Sequence, residues 1–297
     1  MSTTIPFNPT DPKYQLTEEF KPDKEATWHF SADKDGWMHA HNALREEMQN
    51  LVTALAATIA REGNLNDWEA KCIKKAWAAH EIHIHSHHKN EDEILVPFLE
   101  TRFKYPDKVR FFEKCTWNKE FVSPTLVISN SQYEADHNEL CAKIAKIAKV
   151  VSNMKEGDDA SELLEELNEY ESLMKPHLLQ EEVECLPLYR AYFTPKESSH
   201  KIQEILAKSP KCELGSFINT STWHERLCNF VTIWHVSNLT FAEPTVGPER
   251  FRKEFMPQEG IPFFVWYIQS MWMYKAFCQE FKVPIEALIS GVKPAKI

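Results

Sequence analysis

Glycine is scarce in this sequence, with seven residues in 297 against 17 prolines. This ratio favours helices that stop at prolines over glycine-rich turns. Basic residues are also outnumbered, 34 against 44 acidic ones, which gives a formal net charge of −10. Because nucleic acids and anionic membrane surfaces repel negative charge, we expect neither as a partner.

Paired cysteines and long apolar runs are lacking as well. The seven cysteines are odd in number and contain no Cys-x-x-Cys pair, so reduced thiols are expected rather than a disulfide framework or a zinc knuckle. The first residues, MSTTIPFNPTDPKYQL, show no secretory or transit pattern. The apolar run PFFVWYIQSMWMYKAF is shorter than the roughly 20 residues of a membrane span. We therefore expect a cytoplasmic protein with no transmembrane segment.

Helical periodicity is what the sequence does contain. Apolar residues recur at spacings of three and four through four long segments, which predicts an all-α fold with four main helices. Their starts are indicated by capping residues or a Ser-Pro pair. The helices are expected from Asp33 or Asp35 to Gly63, from Asn66 or Asp67 towards Phe103, after Ser123-Pro124, and from about Ala160 to Phe193.

Three parts of the chain differ in composition. Residues 1–33 carry four prolines and no sustained period, so we expect an extended arm that Trp28 and Phe30 anchor. Residues 34–195 hold the four main helices. Residues 196–297 are rich in aromatic side chains and are expected to form a C-terminal helical extension packed on them. Helices of this extension are predicted from Thr194 to about Lys208, over 220–239 and over 262–277.

The stretches HHKNEDEILVP and HLLQEEVECLP share one pattern. In each, a histidine precedes a glutamate by four residues and a proline by ten. Since residues four apart lie on the same face of a helix, His87 projects beside Glu91, and His177 beside Glu181. Imidazole and carboxylate are common metal ligands, so each stretch could supply half of a metal site.

A histidine also lies on the apolar stripe of each of the other two main helices. A charged glutamate on such a stripe is costly unless a cation compensates it, and bundles enclose pairs of metal ions with ligands of this kind. The six candidate ligands are His41, His87, Glu91, His137, His177 and Glu181. Two iron ions are the expected occupants, and manganese or zinc could replace them.

The order of these ligands resembles that of the hemerythrin-like, or HHE cation-binding, family over about residues 35–193. The resemblance implies an up-down-up-down four-helix bundle with an oxo- or carboxylate-bridged diiron centre, held by the six residues just named. Members of the family bind oxygen, sense iron or oxygen, or handle reactive oxygen species.

The third helix departs from the pattern of the oxygen carriers in this family, which have two histidines one turn apart there. In this sequence Tyr133 stands four residues before His137. The five-histidine pattern of a reversible oxygen carrier is therefore incomplete. One iron is then less saturated, or is ligated by Tyr133 or Glu134. His83 or His80, one or two turns before His87, could also compensate as a further ligand or as support behind the ligands.

The roles of the other residues in the two stretches have more than one interpretation. The cluster of histidines between residues 80 and 88 is compatible with a solvated helix face, a second metal-capture surface or an entry path. The solvated face is the preferred interpretation, with His83 near the site and with His85 and His88 pointing away from the ligand stripe. As alternative ligands we retain His88 with Asp92 on the second helix, and Glu182 on the fourth.

Two classes of function agree with these residues. One is a binding or sensing protein, in which the diiron centre binds dioxygen or reports iron or redox state. The other is a diiron enzyme that activates dioxygen or peroxide toward a small apolar organic substrate held under the C-terminal helices. The incomplete ligand set on the third helix favours the enzyme slightly, because an open coordination position lets dioxygen be activated.

Overall fold

The chain is predominantly α-helical in the computed structural model. The structure describes residues 15–16, 28, 30–61, 63–99, 101–104, 132–208, 253 and 277–296. Strand structure among them is confined to one antiparallel pair of two-residue strands, β1 (Gln15–Leu16) and β2 (Phe103–Lys104). The all-α class expected from the periodicity is thus confirmed for the part of the chain that the structure describes.

Eight α-helices and three π-helical turns are described. The helices are α1 (Gly36–Ile59), α2 (Asp67–Asn90), α3 (Val96–Leu99), α4 (Gln132–Asn153), α5 (Ser161–Gln180), α6 (Leu186–Tyr192), α7 (Pro195–Lys208) and α8 (Val283–Ser290). The π-helical turns are π1 (Glu91–Leu95), π2 (Glu181–Cys185) and π3 (Cys278–Lys282). A 3-10 turn, Ala32–Lys34, precedes α1.

Polar side chains begin three of the helices where the sequence predicts them. The Asp35 carboxylate accepts the backbone N–H two residues on, at 3.2 Å, and so caps α1. At the start of α2, the Glu69 carboxylate accepts the backbone N–H of Asn66 at 2.8 Å. The capping box before α7 is closed by Thr194 N–H donating to Glu197 at 2.9 Å. Each cap satisfies backbone groups that have no partner inside the helix.

The four long helices surround one apolar core. Helix α1 packs against α2 and α5, and α4 packs against the same two helices. Fully buried core side chains include Leu44, Met48, Leu55, Ile73, Ile84, Ile144, Leu163 and Leu167. Burying each of these apolar side chains contributes about 1.5–3 kcal/mol, which holds the helices in register.

A proline accounts for each π-helical turn. Pro97, Pro187 and Pro284 stand six residues after the first residue of π1, π2 and π3 respectively. Proline lacks an N–H group and its ring clashes with the carbonyl four residues earlier. The extra residue of a π turn relieves that clash while the helix continues. Helices α2 and α5 therefore run on through Pro97 and Pro187 instead of ending there.

A second apolar cluster closes the end of the helices that lies beyond π1 and π2. It contains Trp37, Leu99, Cys185, Leu186, Tyr189, Tyr192 and Phe193. Trp28 packs on it, and its indole N–H donates to the carbonyl of Arg190 at 2.9 Å. The guanidinium of Arg190 lies 4.5 Å from the Trp28 ring and 5.2 Å from the Phe30 ring. Trp28 and Phe30 thus contact the helices, as expected of the arm's anchors.

The C-terminal helix α8 was not expected from the sequence. It packs against α1 and α2, with Ile285 and Leu288 in the main core beside Phe281 of π3. Its signals are present, since Pro284 stands in its first turn and Gly291 ends it with φ +69°, a conformation that favours glycine.

Several sequence predictions lie outside the described residues. These are the helices over 220–239 and 262–277 and the start of the third helix after Ser123-Pro124. Among the described cysteines, Cys72, Cys185 and Cys278 are not part of a disulfide, whereas Cys141 is disulfide-bonded. The expectation of reduced thiols throughout is therefore wrong for Cys141. None of the described helices combines the length and the apolar character needed to cross a membrane.

Candidate metal centre

Four side chains that could hold a metal ion converge inside the ring of helices. His41 comes from α1, His87 from α2, and Glu91 and Glu181 from the first residues of π1 and π2. One ligand atom of each lies within 4.8 Å of those of the other three, and all four side chains are buried. The structure thus brings together four of the six ligands predicted from the sequence.

The separations between these atoms suit a shared ion. His87 Nε2 lies 3.1 Å from Glu91 Oε1, and His41 Nε2 lies 3.2 Å from Glu181 Oε2. His41 Nε2 is 3.8 Å from Glu91 Oε1. Nitrogen and oxygen ligands that each bind one ion at about 2.0–2.2 Å stand roughly 3 Å or a little more apart.

The two carboxylates carry the strongest indication of a cation. Among the described residues, none donates a hydrogen bond of good geometry to any of the four oxygens of Glu91 and Glu181, and His87 Nε2 is in the same position. Both glutamates are almost completely buried, with exposures of 1% and 2%. Burying an ionised carboxylate without a partner is costly, and a bound cation removes that cost. The donor set therefore fits a metal ion.

Electrostatics in the centre drives the pKa values of the two carboxyl groups apart. Burial raises the pKa of Glu91, but the positive charge of His87 and His41 beside it outweighs burial, and the pKa falls well below its usual range. Burial and the charge of Glu91 raise the pKa of Glu181 to about 8. Burial lowers the pKa of His41, but Glu181, Glu182 and Glu91 outweigh it, so this pKa lies well above its ordinary value.

This pKa pattern predicts that, in chelator-treated protein, stability falls as the pH rises from about 6.5 to 8, because below this range the lowered pKa of buried His83 acts in the opposite direction. Glu181 holds its proton up to about pH 8 when folded and to its ordinary 4.5 when unfolded. The folded state then binds one more proton in this window, so the free energy of unfolding decreases as pH rises. Glu91 is ionised in both states here and adds no slope. Urea unfolding at three pH values measures the slope, and a rising stability would contradict the assignment.

Glu181 faces two imidazoles with its two oxygens. Oε2 lies 3.2 Å from Nε2 of His41, and Oε1 lies 3.5 Å from Nε2 of His177. A carboxylate in this orientation can bridge two ions, one on each side. His177 therefore lies beside Glu181, as the sequence predicts, but outside the tight group of four.

A second carboxylate fixes the orientation of His41. Glu182 Oε1 lies 2.9 Å from His41 Nδ1 and 2.7 Å from a guanidinium nitrogen of Arg45. Burial raises the pKa of Glu182, but His41 and Arg45 outweigh burial and lower it, so the group is ionised and can only accept. With a metal ion bound at Nε2, which faces Glu91 and Glu181, His41 would carry its remaining proton on Nδ1, where Glu182 accepts it.

Removing that support is expected to weaken metal binding. Glu182→Ala should lower metal affinity about 10–100-fold, as is usual for carboxylates that orient a metal-bound histidine. Glu182→Gln, which still accepts from Nδ1–H, should lose less. Competition titration against a chromophoric chelator measures both variants. An Ala variant with wild-type affinity would show that Glu182 does not position His41.

Trp37 also contacts His41. Its indole N–H donates to Nε2 of His41 at 2.9 Å, so this nitrogen is shared between the indole and the ligand group. An ion bound to Nε2 takes the place of that hydrogen bond. Trp37 belongs to the second apolar cluster, which therefore adjoins the candidate metal centre directly.

The remaining predicted ligands lie on α2 and α4. Tyr133, Glu134 and His137 fall within α4, but their side chains lie outside the described part of the structure. His83 lies one turn before His87 and outside the group of four. Its Nδ1 is 2.9 Å from the carboxylate of Glu47, a residue that the sequence reasoning did not consider.

The interpretation of residues 80–88 as a solvated face is wrong. His80, His83, His87 and His88 are buried, and His85 alone among these five is half-buried. Helix α2 packs against α1, α4 and α8, so more than one of its faces is covered. The ring of His88 lies 5.7 Å from those of both His87 and His177, which places it beside the centre instead of away from it.

A matched pair on α2 tests the ligand group. His87→Ala should remove at least one metal ion per chain, because it deletes one of four converging ligands. His85→Ala removes the same group from a half-buried position outside the group and should leave the metal content unchanged. Elemental analysis of the two purified variants decides. Equal metal content in both would contradict the assignment of His87.

Comparison of the chain with protein-family models, with curated proteins and with solved structures found no match in any of the three. The case for a metal centre therefore stands on the buried group of His41, His87, Glu91 and Glu181 and on the chemistry of these side chains.

Proposed function

We propose that this chain is a non-haem diiron-binding protein, a hemerythrin-like up-down-up-down four-helix bundle that binds or senses dioxygen, iron or redox state. The observation that supports it most strongly is the pair of buried carboxylates whose four oxygens accept no hydrogen bond of good geometry from the described residues. Two imidazoles from two further elements complete the group.

Two ions are proposed because one carboxylate serves both sides of the centre. Glu181 has one oxygen near His41 and the other near His177. One ion would be held by His41, His87, Glu91 and Glu181. The second would be held by Glu181 and His177, with His137 of α4 as a further ligand on the resemblance to the hemerythrin-like family.

Iron is proposed because the described ligand group consists of imidazole and carboxylate and includes no thiolate. This donor set suits iron, manganese and zinc, and among these iron binds and reduces dioxygen. Iron in the centre supplies reversible electron transfer and positions for dioxygen or peroxide. The residues of the chain exclude water by burial, hold His41 in one tautomer through Glu182, and neutralise the ions with two carboxylates.

The described arrangement of helices supports the bundle. The ring of α1, α2, α4 and α5 places one long helix on each side of the core, and the candidate ligands come from α1, from α2 and from the π-helical continuations of α2 and α5. A bundle of this kind encloses metal ions between facing helices.

Oxygen consumption distinguishes a sensor from an enzyme. The protein is loaded anaerobically with ferrous iron and exposed to air-saturated buffer in an oxygen electrode. A binding or sensing protein takes up a fixed amount of oxygen per iron and then stops, with or without reductant. Sustained uptake that requires both a reductant and a small apolar organic substrate would replace this proposal with the diiron enzyme. His87→Ala provides the control for iron outside the centre.

A further inference from the structure

A second buried polar cluster lies on the same helices as the metal centre. It consists of Glu47, His80, His83 and Tyr170, each with an exposure of 0%. His80 precedes His87 by seven residues on α2, and Tyr170 precedes His177 by seven on α5. Seven residues of α-helix span about 10 Å, so this cluster forms a separate layer two turns from the ligands.

Hydrogen bonds connect the four side chains one to the next. The carboxylate of Glu47 lies 2.7 Å from Nδ1 of His80 and 2.9 Å from Nδ1 of His83. Nε2 of His80 lies 3.0 Å from the hydroxyl of Tyr170. Because an ionised Glu47 only accepts, His80 carries its proton on Nδ1 and its Nε2 accepts from the phenol. Tyr170 O–H therefore donates to a base that a carboxylate supports from behind.

This arrangement is suited to the loss of an electron from Tyr170. A phenol that is oxidised by one electron becomes a strong acid, so its proton must have an acceptor at once. Nε2 of His80 is in place to take that proton, and Glu47 stabilises the imidazolium that results. Burial and the charge of Glu47 hold the pKa of Tyr170 well above its ordinary value, so the phenol keeps its proton until it is oxidised.

This hydrogen-bonded series of side chains also extends toward the candidate metal centre. Glu47 joins His80 to His83, and His83 stands one helical turn before the ligand His87. The Trp77 ring lies 6.1 Å from that of Tyr170 and 5.7 Å from that of His80. A buried polar network can also serve only to fix core packing. Formation of a radical that depends on Tyr170 and His80 distinguishes redox activity from that role.

We propose that Tyr170 is a one-electron donor to the oxidised metal centre and that its phenolic proton passes to His80 as the electron leaves. The O–H bond of Tyr170 breaks and an N–H bond forms at Nε2 of His80. The products are a neutral tyrosyl radical, an imidazolium and a centre reduced by one electron. The oxidant is the iron centre after reaction with peroxide, so this inference rests on the proposed function.

Freeze-quench electron paramagnetic resonance tests it. Iron-loaded wild-type protein is mixed with hydrogen peroxide and frozen within a second. A tyrosyl radical is expected, with a hyperfine pattern that narrows when ring-deuterated tyrosine is incorporated. Because the chain contains eight tyrosines, Tyr170→Phe decides which one carries the radical. Its signal should fall at least tenfold, with iron content unchanged.

Two further variants make the test specific. His80→Gln keeps an acceptor for the phenol but no base at neutral pH, and it should also lose most of the radical. Tyr189→Phe is the matched control, because it deletes another buried phenolic hydroxyl, one that meets the Ser198 hydroxyl. It should keep the wild-type signal.

The outcomes separate this inference from the proposed function. Iron bound by wild type and by Tyr170→Phe with equal radical yield would overturn the role of Tyr170 and leave the diiron centre standing. An undiminished radical in His80→Gln would overturn the proton transfer. Failure of the wild type to bind iron would overturn the proposed function, and this inference with it.

Discussion

Loading the protein with iron is expected to raise its melting temperature by about 8–16 °C. A ligand present at a thousand times its dissociation constant stabilises the folded state by about 4 kcal/mol, and each kcal/mol shifts the melting temperature of a domain of this size by about 2–4 °C. The physical reason is the pair of buried carboxylates, whose oxygens accept no hydrogen bond of good geometry from the described residues and whose charge a bound cation would compensate. Calorimetry of chelator-treated and iron-loaded samples measures the shift.

The control for this shift is a variant that cannot assemble the group. His87→Ala should show at most a small fraction of it, because one of the four converging ligands is missing. His85→Ala should show the full shift. If iron leaves the wild-type melting temperature unchanged, the buried glutamates are compensated by something other than a metal, and the centre is wrongly assigned.

Replacing Glu181 by methionine is expected to stabilise chelator-treated protein and to abolish its stabilisation by iron. The substitution removes a fully buried carboxylate that accepts no hydrogen bond of good geometry from the described residues, and methionine replaces it with an apolar side chain of similar length. An unsatisfied buried polar group costs about 1–3 kcal/mol, more when charged, so the chelator-treated variant should gain at least that much. A gain in stability with a loss of binding is typical of a residue kept for function.

Glu166 provides the matched control on the same helix. It is also a buried carboxylate of α5, but both its oxygens accept hydrogen bonds, from Lys143 at 3.0 Å and from Lys146 at 2.5 Å. Glu166→Met should therefore destabilise the protein, and iron should still stabilise the variant. Urea unfolding with and without iron measures both substitutions. Destabilisation of the chelator-treated protein by Glu181→Met would contradict the account.

The core of the site could be predicted from the sequence because it depends on spacing along single helices. A histidine four residues before a glutamate puts both on one face of any helix, so His87 with Glu91 and His177 with Glu181 required no knowledge of packing. His41 followed from its position on an apolar stripe. The structure places these residues together, apart from His177, which lies just outside the tight group.

The supporting residues could not be predicted because they depend on which helices face one another. The Glu182 carboxylate of π2 contacts His41 of α1, and the Glu47 carboxylate of α1 contacts two histidines of α2. The sequence of residues 80–88 indicates a solvated face if only one face of α2 is buried. In the structure α1, α4 and α8 cover more than one face of this helix. No local pattern reports how many neighbours a helix will have.

The π-helical turns show a different limit of structure prediction from the sequence. Pro97 predicts a kink or an end of its helix, because proline removes a backbone hydrogen bond. A single π turn relieves the same clash and lets the helix continue, and both ligand glutamates begin such turns. The third turn, before Pro284, belongs to the C-terminal segment packed on α2, so the turns follow from the prolines and are not by themselves a sign of metal binding.

The number of iron atoms per chain, measured together with the absorption spectrum in air and after reduction, tests the central claim most directly. The account predicts two irons per chain and a near-ultraviolet band of a bridged diiron centre that bleaches on reduction. It also predicts that Glu181→Met binds at most one iron and lacks the band. A wild-type protein without stoichiometric metal, or one whose two metals survive Glu181→Met, would contradict it.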